Sequence, residues 1–246
     1  GSDSVAVLSG ATSTIDQNLN TKGATALNAA GQVTGWNDGA GLRGFFFNTS
    51  GSVTELGTLG GQSSVGLGIN NSGVVTGWST DGSGIARAFT SNNGGSLTDL
   101  GLIPGATAAA GTSINSSGQV TGWMSVSNNL THAFIYSNGN LIDLTTGVGS
   151  AINDSGHVTG WITNSGGTYS AFFYDGSTVN NLGLGYGNAI NNSDQITGQI
   201  ASTGHAFRWS GGVTTDLHST ACSWCDMSTV GRSEGLAINN MGWITG

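Results

Sequence analysis

Six times along this chain a short apolar run stops at an asparagine and resumes a few residues later. The residue before each asparagine is apolar: Leu27, Ile69, Ile114, Ile152, Ile190 and Ile238. The asparagines are Asn28, Asn70, Asn115, Asn153, Asn191 and Asn239. Gly31, Gly73, Gly118, Gly156 and Gly242 close five of these turns, and Asp194 closes the fifth copy. One residue further on comes Val or Ile, then Thr and Gly, as in Val33-Thr34-Gly35-Trp36 and Val120-Thr121-Gly122-Trp123. Apolar positions on both sides of a four-residue polar turn predict two antiparallel strands, a and b, joined by a hairpin. Asn first and Gly fourth fit a type I turn followed by a left-handed residue, a conformation that Asp also tolerates.

A second pair of short runs follows each hairpin. Strand c reads Arg43-Gly-Phe-Phe-Phe47, Arg87-Ala-Phe-Thr-Ser91, His132-Ala-Phe-Ile-Tyr136, Ser170-Ala-Phe-Phe-Tyr174 and His205-Ala-Phe-Arg-Trp209. Strand d reads Val53-Thr-Glu-Leu56, Leu97-Thr-Asp-Leu100, Leu141-Ile-Asp-Leu144, Val179-Asn-Asn-Leu182 and, less regularly, Val213–Leu217. The glycines after the Thr of strand b, at 35, 77, 122, 160, 198 and 246, are 42, 45, 38, 38 and 48 residues apart. Such periods belong to units of four short strands.

Composition agrees with an all-β reading. There are 44 Gly and one Pro in 246 residues, and charged residues make up only 7%. The polar surface is therefore built from Asn, Ser, Thr and Gly, which favour turns over helices. With 37% hydrophobic residues the chain has enough apolar surface for a core. The formal net charge is -8, with Lys22, Arg43, Arg87, Arg208 and Arg232 the only strong bases. A nucleic-acid partner needs a Lys/Arg footprint, so none is expected, and an anionic membrane surface is disfavoured for the same reason. No apolar run approaches the ~20 residues of a membrane span. No leader is visible, and Gly1-Ser2 reads as a cloning scar. The Lys-poor, Ser/Thr/Asn/Gly-rich surface suggests an extracellular or cell-surface protein.

The His-Ala-Phe strand, together with the Ile-Asn-x-Ser-Gly-x-Val-Thr-Gly-Trp hairpin, resembles the bacterial extracellular repeat family called HAF. Leu56-Gly-Thr-Leu-Gly-Gly61 resembles that family's connecting segment, and the likeness covers roughly 25–246. The literal motif stands only at His132-Ala133-Phe134 and His205-Ala206-Phe207; three units depart from it. The resemblance implies secretion or surface display and no established activity.

Repeated four-stranded units can close into a β-propeller, extend as an open repeat array, or fold as one large sandwich. Radial closure protects strand edges, so a single propeller domain over 1–246 is the expectation. Six blades are preferred over five: full units at approximately 25–61, 62–105, 106–147, 148–185 and 186–235, and a partial one at 236–246 closed by 1–24. Val5–Leu8 would serve as a d strand of that last blade, unless further chain past Gly246 completes it.

Trp36, Trp78, Trp123 and Trp161 share one repeat position. A ring of flat aromatic faces would suit sugars, while packing between units explains the same residues. The first residue of strand c (Arg43, Arg87, His132, Ser170, His205) offers a ring of polar groups for an anion or sugar hydroxyls. The alternative is a structural bond to Glu55, Asp99 and Asp143 of strand d. Cys222 and Cys225 stand in the longest insertion, where a disulfide fits an extracellular protein. A zinc site with His218 and Asp226, or free thiols, remain open. Calcium loops need several carboxylates in a short span, which these turns lack, so neither calcium nor another cofactor is expected. No nucleophile elbow, phosphate loop or His-Glu-x-x-His motif occurs. The functional expectation is therefore a binding or scaffold module for a surface glycan or protein. The alternatives are a structural, self-assembling matrix protein and, behind both, a polysaccharide lyase or hydrolase. Because the repeated residues are explained by folding, local function is expected where the repeat is broken.

Overall fold

The computed structural model describes residues 21–38, 41–127, 130–183, 185–218 and 231–246. The expected strand at 5–8 and the cysteine pair at 222 and 225 lie outside these residues. The described chain is all-β, and its strands pair antiparallel in sequence order. Unit 1 holds β1 (Thr21–Leu27), β2 (Val33–Asn37), β3 (Arg43–Phe47) and β4 (Val53–Glu55). Unit 2 holds β5 (Gly60–Ile69), β6 (Val74–Asp81), β7 (Ala86–Asn92) and β8 (Leu97–Asp99). Unit 3 begins with β9 (Ala106–Ile114), β10 (Val120–Val126) and β11 (Leu130–Ser137). Next comes β12 (Asn140–Ile152), followed in unit 4 by β13 (Val158–Thr163), β14 (Tyr169–Tyr174) and β15 (Val179–Asn181). Unit 5 holds β16 (Gly185–Ile190), β17 (Ile196–Ile200), β18 (His205–Ser210) and β19 (Val213–Asp216). The final hairpin is β20 (Ala237–Ile238) with β21 (Ile244–Thr245).

Units 3 and 4 differ from the expected pattern of separate four-stranded sheets. β12 runs through the boundary: Asn140–Thr146 pairs with β11, and Gly147–Ile152 pairs with β13, so seven strands form one sheet. The physical reason is a d-to-a connection with no spare residue. Gly147, at φ 143°, takes the bend where the strand changes partner.

The repeated motif does one job per residue. Thr34, Thr76, Thr121, Thr159 and Thr197 each donate a hydroxyl hydrogen bond of 2.7–2.9 Å to the carbonyl of a strand-c Phe. Those phenylalanines, Phe45, Phe89, Phe134, Phe172 and Phe207, are fully buried. Each stands opposite the motif glycine of strand b. A Cβ at Gly122 would overlap the Ala110 carbonyl of strand a, and the equivalent glycines meet the same obstacle. Glycine is needed there for close approach. The approach is close because strand a carries a bulge in each of the five units, with Thr25, Leu67, Thr112, Ser150 and Asn188 as the extra residue.

The core lies at the seams between units. Phe46 and Leu56 of unit 1 pack with Val75 and Phe89 of unit 2. Ala88 and Leu100 of unit 2 pack with Met124 and Phe134 of unit 3. Ala133 and Ile135 join Val158 and Phe172, and Ala171 joins Ile196 and Phe207. Each seam also brings a strand-a glycine of one unit onto the motif Thr of the unit before: Gly66 on Thr34, Gly111 on Thr76, Gly149 on Thr121, Gly187 on Thr159, and Gly235 on Thr197. A side chain at any of these glycines would push two units apart. Such nearest-neighbour packing is the stability logic of repeat architectures.

Candidate functional site

In an antiparallel unit the a–b and c–d turns lie at one end, and the b–c and d–a connections at the other. The first end is built from the asparagine turns. Each Asn Oδ1 accepts amide hydrogens from within its own turn, as Asn115 does from Ser117 and Gln119 at 3.1 and 2.9 Å. Each Nδ2 reaches into the next unit. Asn28 donates to the carbonyl of Asn70, Asn70 to Asn115, Asn115 to Asn153, Asn153 to Asn191 and Asn191 to Asn239, all at 2.9–3.0 Å. The following residues form a second, outer ladder: the amides of Ala29, Ser116, Asp154 and Asn192 bond to the side chains of Asn71, Asp154, Asn192 and Asn240. All six turns, from Leu27-Asn28-Ala29 to Ile238-Asn239-Asn240, line one cavity of about 350 Å³. Hydrogen bonds from Ser116, through its hydroxyl and its amide, and from Asn192 hold the Asp154 carboxyl below its usual range.

The opposite end carries the candidate site residues. The four tryptophans are half-buried. Side chains two apart on a strand share a face. Trp36 thus shares the face of Thr34, which meets Gly66 of the next unit. Its ring also crosses its own strand a, so that a Cβ at Gly23 would fall 2.6 Å from its Nε1. The Trp36 ring is therefore laid against its own unit instead of standing free.

The first residue of strand c reaches across to strand d. Arg87 Nη2 meets Asp99 Oδ2 at 2.8 Å. His132 Nδ1 meets Asp143 Oδ2, and His205 Nδ1 meets Asp216 Oδ2, each at 2.8 Å. The expected bond to strand d thus forms in units 2 and 3, and unit 5 adds Asp216, which the spacing had not singled out. In unit 1, Arg43 Nη1 donates to the carbonyl of its neighbour Leu42 at 3.3 Å. Unit 4 replaces the charged pair by Ser170 and Asn181. Here Asn164 bridges, donating to Ser170 Oγ at 2.8 Å while its Oδ1 accepts from Asn181 at 3.5 Å.

Two clusters at this end have no counterpart in the other units. Trp161 touches Tyr169 edge-on, with ring centroids 5.0 Å apart, and Tyr186 at 6.2 Å; Tyr169 and Tyr186 lie 5.3 Å apart and tilted by 35°. Burial, then the neighbouring Tyr169, pushes the Tyr186 phenol upward. The second cluster stands where the long insertion rejoins the fold. His218 stacks on His205 with centroids 4.0 Å apart, and its Nδ1 lies 3.2 Å from Ser233 Oγ. On Asp216, burial acts upward as the largest single effect. The His205 ring, the His218 amide and the charge of both imidazoles together outweigh it and lower the carboxyl. Among the described residues no group of three or more His, Cys, Asp or Glu is arranged to hold a metal ion, and no helix is long and apolar enough to cross a membrane.

Sequence reasoning placed Trp161 but not Tyr169 and Tyr186. The available signal was the substitution at Ser170 and Asn181, where the other units carry a base or imidazole and an acid.

No family model matches this chain, and no curated protein matches it. Among solved structures it is similar to TolB from Acinetobacter baumannii, at 11% identity and a TM-score of 0.54. That likeness covers 74% of this chain and 49% of the TolB chain, so the present chain spans about half the length of the structure it matches. At this identity the likeness speaks for the fold alone: an all-β, β-propeller-like arrangement of antiparallel four-stranded units.

Proposed function

We propose that the chain is a secreted or surface-displayed bacterial repeat protein of the HAF type, a six-bladed propeller acting as an extracellular binding module. One observation carries this reading: the polar residues of the two ends are used differently. At the turn end the repeated asparagine amides bond from unit to unit, so their chemistry serves the fold. At the opposite end the non-repeating residues of units 4 and 5 gather into exposed or half-exposed clusters. Convergence of all six turns on one cavity supports the six-blade count. A scaffold held rigid at one end and varied at the other is the usual layout of a recognition surface.

The test is a screen of the immobilised protein against surface polysaccharides and exported proteins, with sedimentation velocity on the same preparation. The expected result is a ligand whose binding falls on Tyr169→Ala or His218→Ala and survives Asn71→Ser at the turn end. Concentration-dependent assembly without any ligand, unaffected by the opposite-end substitutions, would favour a structural matrix role instead.

A further inference from the structure

We infer that the seam between units 4 and 5 is a stacking subsite for a neutral pyranose chain, with the exposed Tyr169 ring as the platform, Trp161 edge-on against it, and Asn164, Ser170 and Asn181 as the hydroxyl-binding edge. This deepens the binding-module reading and rests on it. Three features of the seam lead to that ligand class.

The first is that the cluster interrupts the repeat at three positions together. Tyr169 pairs with Thr163 at a register position where unit 3 has Thr131 and unit 2 has Ala86. Tyr186 faces Gln199, where the units before it place Gly23, Val65, Ala110 and Val148. Ser170 and Asn181 stand where units 2, 3 and 5 have Arg87–Asp99, His132–Asp143 and His205–Asp216. Core packing does not call for an aromatic residue at 169, because the side chain remains 39% exposed.

Ring spacing decides between two kinds of aromatic site. A cage for a quaternary ammonium needs rings held apart so that the cation sits within about 6 Å of each face. Here the rings touch one another at 5.0 and 5.3 Å, the spacing of aromatic pairs that pack directly. No guest fits between them. What remains is the exposed part of the Tyr169 ring, and the apolar C–H face of a pyranose ring matches such a surface.

Charge narrows the class further. From Val158 to Tyr174 and from Gly176 to Ser193 the sequence has no Asp, Glu, Lys, Arg or His. These two stretches thus offer a uronate or sulfated chain no cation of their own, and an amino sugar no carboxylate. The neutral amide and hydroxyl groups suit sugar hydroxyls, which both donate and accept. Asn164 is already oriented by Ser170, Thr168 and Asn181, so little side-chain freedom is lost when a sugar arrives.

The experiment is isothermal titration of the full chain with hexasaccharides of β-glucan, mannan, xylan and chitin, beside an oligogalacturonate and choline. At least one neutral chain is expected to bind. Tyr169→Ala is expected to weaken it roughly tenfold, and Tyr169→Phe to keep it within about threefold, since the ring and not the hydroxyl carries the contact. Because Tyr169 is exposed, both variants should fold, and circular dichroism with a melting curve checks that they do. Tighter binding of the oligogalacturonate or of choline would overturn the ligand class. Neutral-sugar binding indifferent to Tyr169→Ala would overturn the location. Failure of every neutral sugar on the folded protein would overturn the inference altogether. In each case a protein ligand that still responds to His218→Ala would leave the binding-module reading standing.

Discussion

The two ends of this molecule use similar polar residues for opposite purposes. At the turn end the amides of Asn28, Asn70, Asn115, Asn153 and Asn191 each have two tasks, closing their own hairpin and bonding to the next unit 38 to 48 residues away. At the other end Asn164 and Asn181 bond only within their own unit, beside aromatic rings that stay partly exposed. The difference is one of burial. A buried amide that loses its partner costs about 1–3 kcal/mol, so the turn end is locked. A half-exposed amide can exchange a protein partner for water or a sugar at little cost, so the opposite end is free to vary.

The sharpest way to break this contrast is at the turn end. Asn153 is buried and serves four partners: the Asn191 carbonyl, Asp194 Oδ1, and the amides of Ser155 and His157. Asn153→Ala should lower unfolding free energy by roughly 2–4 kcal/mol, as read by urea denaturation. A loss below about 1 kcal/mol would mean that the ladder is incidental. Next in size is Thr121→Val, which keeps the shape but removes the 2.7 Å bond to the Phe134 carbonyl inside the core. Its expected cost is about 1–2 kcal/mol in the same measurement. At the opposite end, His132→Ala removes one half of an exposed pair with Asp143. It should cost less than about 1 kcal/mol in the same measurement.

The smallest effect is electrostatic. Asp154 has a lower pKa when folded than when unfolded, because Ser116 and Asn192 bond to its ionised form. Its contribution is therefore present above the ordinary carboxylate value, about 4, and fades as pH falls below it. Asp154→Asn should therefore cost slightly at neutral pH and nothing in strong acid, flattening the acid side of the stability–pH curve. A steeper acid loss in the variant would contradict the assignment.

Much of the fold was legible because the informative contacts are local. Asn28-x-x-Gly31 predicts a hairpin, and the hairpin forms with Gly31 at φ 81° and Asp194 at φ 58° in the fifth copy. The strand-c phenylalanines were visible as a recurring apolar position and are the largest fully buried side chains. The inter-unit ladder was not legible, because residues 38 or more apart meet only once the angle between units is set. The strand-a bulges were hidden too, since Thr25, Leu67, Thr112, Ser150 and Asn188 follow no single side-chain type. Continuous β12 escaped the pattern because its two halves each match a repeat strand, and the change of partner at Gly147 leaves no gap or turn residue between them. At the candidate site, Trp161 stood out as a repeat residue, whereas Tyr169 and Tyr186 are single substitutions in different units. Only their meeting in space makes them a cluster.

Hydrogen–deuterium exchange, read along the chain with and without a neutral hexasaccharide, tests the division between the two ends most directly. The account predicts slow exchange at the amides of Gln32, Val74, Gln119, His157 and Gln195, each bonded to its turn asparagine, whether or not sugar is present. It predicts new protection on sugar addition within 161–170 and 179–188 alone. Fast exchange at the turn amides, or ligand-induced protection appearing there instead of at the seam of units 4 and 5, would contradict it.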